Sequence, residues 1–194
     1  MSDDASAPPA ELLRALVANA VDADPAALDD QVEVVERAAG ATEGESTADP
    51  AERLAELVGA ADGVVAVVPR FDADLARRLN ASLSASGADA DDAETAASVP
   101  DDVRVVFTDA ASNRLAGATG PVVRRALAER GVDAYRHDGE SPVAVALADD
   151  RAAVGLTDGD ELVALLWTDA PAVREWAAAT CRRYLDAAEP VTEG

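Results

Sequence analysis

The stretch "SPVAVALADDRAAVGLTDGDELVALLWT", residues 141–168, decides the fold. It holds three short apolar runs, "SPVAVALA", "RAAVGL" and "ELVALLWT", separated by the polar turns "DD" and "TDGD". Turns this short can join only antiparallel neighbours, so the stretch predicts a three-strand meander.

Upstream the rhythm changes. Three further strand-like runs, "GVVAVVPRF" (63–71), "VRVVFTD" (103–109) and "VDAYRH" (132–137), alternate with helical segments. Asp49-Pro50 opens a helix that ends near Gly59 or Gly63, "DADLARRLNASL" (72–83) forms another, and a third starts at Pro121 and stops at Gly131. Fully apolar strands followed by helices read as parallel strands buried on both faces. Nearer the start, Glu11 to Ala20 is helical with Leu12, Leu13, Leu16 and Val17 on one face. Asp24 caps a short turn of helix that begins at Pro25, and "QVEVVE" (31–36) suggests a strand. A last helix from about Ala170 to Ala187 carries the stripe Val173, Trp176, Ala177, Thr180, Cys181 and Tyr184.

The expected architecture is α/β: a mixed, mainly parallel sheet with helices on both faces and a C-terminal three-strand antiparallel meander. Residues 11–190 read as a single domain. Residues 1–10 read as a disordered acidic tail, and 191–194 as a second tail. "GATEGESTA" (40–48) reads as a loop, and the acidic low-complexity stretch Ser84 to Asp102 as an enlarged solvated loop.

Charge sets the environment. Among 194 residues, 16 are basic and 38 acidic, for a net charge of −22, and every basic residue is arginine. Aromatics are 3% of the chain, so the core must be built from Ala, Val and Leu. A dense carboxylate surface suits molar salt, where screening over about 3 Å removes most self-repulsion. The composition predicts a salt-dependent fold from a halophilic, archaeal cytoplasm. No apolar run reaches transmembrane length, and "MSDDASAPPAE" lacks the pattern of a signal peptide, so no membrane association is expected.

Several chemistries are excluded or disfavoured. Without lysine there is no Walker-type phosphate loop and no Schiff base. One histidine and one cysteine make no standard zinc site, and a lone Cys181 forms no internal disulfide. No glycine run matches a dinucleotide fingerprint. Asp149, Asp150, Asp158 and Asp160 carry metal-ligating groups, but such acids are commonplace in tight turns. No cofactor and no metal are expected. His137, in "HDGES", reads either as a general base near Ser141 or as a capping residue at a strand-to-turn junction. Arg70, between an apolar strand and a helix, reads either as an anion anchor or as the partner of Asp72 or Asp74. Cys181 reads as a small core residue on the buried stripe.

Three places carry a family resemblance: "LVGAADGVVAVVPRFDADLARRL", "ERGVDAYRHDGESP", and the meander continued into "DAPAVREWAAATCRRYLDAAEP". From about Val32 to Pro190 the chain resembles the effector domain of archaeal winged-helix transcription regulators of the methanogenesis-regulator type. The resemblance implies a phospholipase D-like fold. In the phospholipase motif, H-x-K-x4-D, anchoring on Asp149-Asp150-Arg151 puts Pro142 at the histidine and Ala144 at the lysine. The resemblance therefore implies a hydrolase-like scaffold without hydrolase chemistry. About thirty residues precede the first strand, too few for a winged helix, so direct DNA binding is not expected.

Three functions compete. The chain is a stand-alone effector domain that binds a small metabolite, or that forms a homodimer or a heterodimer with a winged-helix regulator. Alternatively it is a divergent phosphodiesterase-like enzyme, or a ligand-free interaction domain. Arg70, Arg136, His137 and Arg151, all at strand ends or bends, are the candidate ligand-binding residues.

Overall fold

The computed structural model describes residues 7–37, 49–85, 100 and 102–191. The acidic tail over residues 1–6, the loop over 38–48, most of the acidic stretch between Ser84 and Asp102, and residues 192–194 lie outside those residues.

The meander is present as read. β5 (Ala144–Ala148), β6 (Arg151–Asp158) and β7 (Glu161–Thr168) pair antiparallel in sequence. Its two turns are made differently. Gly159 sits at φ 57°, where glycine bears no steric cost. Asp149 holds a similar left-handed φ of 48° without that freedom. Its carboxylate compensates by accepting hydrogen bonds from the amides of Asp62 (3.0 Å) and Gly63 (2.9 Å). The D-D-R turn is thus a clamp between the meander and the start of β2 (Gly63–Val68).

Among the described residues the sheet has eight strands, in the order β1-β7-β6-β5-β2-β3-β4-β8. Here β1 is Glu33–Glu36, β3 Asp102–Phe107, β4 Val132–Arg136 and β8 Glu189–Pro190. Only the β2–β3 and β3–β4 pairings are parallel; the other five are antiparallel. The sheet is mixed, but its parallel character is narrower than the expected "mainly parallel". The reason is that β5 docks antiparallel beside β2, carrying the whole meander and β1 into the same sheet.

Helices cover both faces. On the first face lie α1 (Pro9–Ala20) and α7 (Pro171–Asp186). Leu13 and Val17 of α1, and Val173, Ala177 and Cys181 of α7, pack with Val67, Val106, Val145, Val154 and Leu166 of the sheet. Side chains alternate across a strand, so β5 sends Val145 and Leu147 to this core and Ala144, Ala146 and Ala148 to the other side. Leu12, expected on the buried face of α1, is instead 49% exposed.

The second face carries α3 (Pro50–Gly59), α4 (Ala73–Ala85), α5 (Asp109–Ala116) and α6 (Gly120–Ala128). The short α2 (Pro25–Asp29) precedes β1. Aspartates open these helices: Asp24 accepts from the Ala26 amide at 2.8 Å, and Asp49 from the Ala51 amide at 2.9 Å. Asp72 does more. Its Oδ1 accepts from the amides of Asp74 (2.8 Å) and Leu75 (3.0 Å), and its Oδ2 from the Leu162 amide on β7 (3.0 Å). One buried carboxylate both caps α4 and ties it to the β6–β7 hairpin. Arg78 adds a second tie, bonding Asp74 on its own helix (2.8 Å) and Asp49 at the start of α3 (3.0 Å). The Arg78 hydrogen bond holds the Asp74 carboxyl below its ordinary value.

Candidate functional site

Two regions merit a chemical reading: the bend after β4, and a cleft on the second face of the sheet.

The bend holds His137. Its Nδ1 accepts a hydrogen bond from the Gly139 amide at 2.8 Å, and its ring meets the Tyr184 ring edge-on at 5.0 Å between centroids. The Tyr184 hydroxyl in turn donates to the Glu140 carbonyl at 2.8 Å. A β-carbon on Gly139 would approach the imidazole to 2.6 Å, so the bend is shaped around the ring. Ser141, which is buried, donates its hydroxyl to the Val143 carbonyl at 2.7 Å. Neither group activates the other. A nucleophile and its base must share a hydrogen bond, and here each is committed to local backbone.

The four candidate ligand-binding residues do not come together. Arg70, Arg136 and His137 lie at or just beyond the carboxyl ends of the parallel strands, where Val68, Phe107 and Arg136 stand in register. Arg151 begins β6 beside Ala148, which pairs with Val64 at the opposite end of β2. The length of a strand separates it from Arg70, about 15–20 Å. Arg136 sits within 3.9 Å of Asp138 and 3.5 Å of Glu189. Arg70 pairs with Asp109 at 3.0 Å, not with Asp72 or Asp74. Asp109 itself is left-handed at φ 49°, and the preceding Thr108 is fully buried with a hydroxyl that has no hydrogen-bond partner among the described residues. Strain and an unsatisfied polar group together mark the end of β3 as costly to build.

Cys181 lies deep in the first core, 2% exposed, and burial pushes its thiol up to about 12. Both features disfavour the reactive thiolate at neutral pH. No cluster of metal-ligating side chains occurs among the described residues.

The cleft was not anticipated. It encloses about 470 Å³ over β2, β3 and β5, between α3 and α4 on one side and α6 on the other. Small residues make room on the floor: Ala66 of β2, Ala144 and Ala146 of β5, and Gly155 of β6. Leu75 and Leu79 of α4 face Val123 and Leu127 of α6 across it. Val122, on the rim, is 72% exposed, a large aliphatic with no shelter. Among the described residues, charged side chains reach the lining at four places: Arg70, Arg77, Arg130 and Asp72. Of the candidate ligand-binding residues, Arg70 alone lines this cleft. One sign was legible in the sequence: the alternation in "AVALA" sends alanine to one face of a central strand and larger residues to the other.

This architecture has relatives. Residues 47–187 match the family described as "Methanogenesis regulatory protein FilR1, middle domain". The chain belongs to the FilR1 middle-domain family. Among solved structures, Nuc from Salmonella typhimurium, a phospholipase D family member, is similar with a TM-score of 0.53 and 13% identity. The match covers 82% of this chain and 96% of that one, and shows a shared phospholipase D-like fold. TrmBL2, an archaeal chromatin protein, is similar at 13% identity and TM-score 0.49, over 92% of this chain. The chain spans 60% of the length of TrmBL2. NucT from Helicobacter pylori is similar at 13% identity and TM-score 0.48, over 72% of this chain and 92% of that one. No curated protein shows significant similarity. The chain is thus a transcription-regulator-related domain of phospholipase D-like fold. No helix among the described residues is long and apolar enough to cross a membrane.

Proposed function

We propose that this FilR1-type domain is a ligand-responsive effector domain without catalytic activity. A small molecule binds in the cleft between α4 and α6, and the domain passes that state to a winged-helix DNA reader through a homodimer or a mixed dimer. The cleft carries the proposal. Its volume falls in the range of small-molecule sites, about 300–1,000 Å³, and its lining is apolar with a few charged groups at fixed points, as such sites require.

Two observations support the absence of catalysis. Anchoring the phospholipase motif on Asp149-Asp150-Arg151 puts Pro142 and Ala144 at its histidine and lysine, and the sequence has no lysine at all. His137 and Ser141 are spent on the backbone of the bend. Hydrolysis of bis-p-nitrophenyl phosphate by the purified protein, with or without Mg²⁺, would overturn this part.

Ligand binding is tested by thermal unfolding in molar KCl against a panel of apolar and amphipathic metabolites. A ligand at a hundred times its Kd stabilises the native state by about 2.7 kcal/mol, a readily measured rise in Tm. Ala66→Leu, which fills the floor, should abolish the rise. No stabilisation by any member of the panel would favour a ligand-free interaction domain instead.

A further inference from the structure

Within that reading of the cleft, on which this inference rests, the charges around the rim specify the ligand's chemistry. The chain as a whole carries 38 acidic residues against 16 basic ones. The cleft reverses this ratio, with three arginines and one aspartate in its lining. The aspartate, Asp72, is buried and gives both oxygens to backbone amides, so it presents little free charge to an occupant. The arginines are placed differently. Arg70 stands at the carboxyl end of β2 and Arg77 one turn into α4, with 39% and 75% of their side chains exposed. Among the described residues each pairs with one carboxylate at 3.0 Å, Asp109 for Arg70 and Asp74 for Arg77. Such half-exposed pairs exchange readily, and a guanidinium fork can accept a second carboxylate beside the first. Between the arginines and the opposite wall the lining among the described residues is hydrocarbon, mostly aliphatic with the two rings of Phe71 and Phe107, and Thr157 is its one neutral polar side chain.

We infer that the cleft takes a free, monomeric amphiphile: an unbranched or branched hydrocarbon chain on the floor of Ala66, Ala144 and Ala146, with a carboxylate head on the Arg70 and Arg77 rim. The depth between α4 and α6 admits a chain, and the arginines select the sign of the head. In a protein so acidic, a cationic amphiphile would be drawn to almost any other part of the surface.

The test is equilibrium dialysis of the full chain, at the lowest KCl that keeps it folded, with decanoate, decanol and decyltrimethylammonium. Decanoate should bind at one site and displace decanol from it at a concentration at least tenfold lower than decyltrimethylammonium, whose binding elsewhere on the acidic surface leaves decanol in place. Arg77→Glu should weaken decanoate about tenfold and leave decanol unchanged. This substitution changes an exposed residue, so it does not threaten the fold; Ala66→Leu should remove decanoate and decanol binding together. Equal binding of all three probes, or an unaltered decanoate affinity in the Arg77→Glu variant, would refute the head-group inference while leaving the cleft a ligand site. Binding of none would remove both. Sedimentation with anionic vesicles in preference to binding decanoate would also overturn it.

Discussion

Replacing Asp72 by alanine should separate α4 from the rest of the fold. The side chain is 8% exposed and accepts three backbone hydrogen bonds, from Asp74, Leu75 and Leu162. Loss of an N-cap costs about 1 kcal/mol. The Leu162 amide is then left buried without an acceptor, which costs about 1–3 kcal/mol more. The sum is about 2–4 kcal/mol, or roughly 4–16 °C in Tm for a chain of this size. Asp72→Asn should lose about half as much, because its one carbonyl oxygen can keep the cap or the β7 bond but not both. Urea unfolding at fixed molar KCl measures this as a shift in midpoint with unchanged slope. An alanine variant within about 0.5 kcal/mol of the parent would refute the reasoning, since surface changes without structural consequence fall in that range.

Four further outcomes are expected. Far-UV CD should show loss of fold as KCl is lowered from molar to millimolar, because 38 acids against 16 basic residues then repel unscreened; a full native spectrum in dilute buffer would contradict this. Cys181, raised to about 12 by burial, should react with a thiol reagent at pH 8 at least about 100-fold more slowly in the native protein than in urea. The unfolded thiol ionises near 9 and the native one does not, so stability should be full below pH 9 and fall by up to about 1.4 kcal/mol per pH unit between 9 and 12; Cys181→Ala should lack that slope. At the D-D-R turn, Asp149→Ala should destabilise by about 1–3 kcal/mol through two lost acceptors, and Asp149→Gly by less, because glycine relieves the left-handed φ; the reverse order in urea unfolding would refute the clamp. Thr108→Val should be neutral or stabilise by about 1 kcal/mol in the same assay, since it removes a buried hydroxyl that has no partner.

The meander was legible because its signals are local. Apolar runs and Asp/Gly turns of fixed length specify antiparallel neighbours without reference to the rest of the chain. The caps Asp24 and Asp49 were legible for the same reason. Helix α5, "DAASNRLA", left no comparable trace: its buried side chains are Ala111, Ser112 and Leu115, too small a stripe to show a period. β8 is two residues long and exists only by pairing with β4. The balance of parallel and antiparallel pairing depends on β5 docking beside β2, a contact between residues some eighty positions apart. Local patterns carry no information about that choice.

The site divides in the same way. His137 at a strand-to-turn junction was readable as a bend residue, and the structure gives its ring a backbone partner two residues on. Arg70 was readable as lying at a strand end, where ligands of open sheets gather. The cleft itself is tertiary. Its walls come from α4 and α6, about fifty residues apart, and its floor from β2, β3, β5 and β6, which the sequence order does not place together. Arg136 and Arg151 were chosen by the same rule as Arg70, yet the topology puts them outside the cleft, Arg151 at the far end of β2.

The most direct test of the regulatory reading is a tagged pull-down of the chain from a halophilic host in molar KCl, with the partners identified by mass spectrometry and the DNA affinity of any regulator measured with and without the protein. The account predicts recovery of a winged-helix regulator, or of a winged helix joined to this domain, whose DNA affinity changes when the domain is present. Recovery of the chain with no DNA-reading partner, and no effect on any regulator added back, would contradict it.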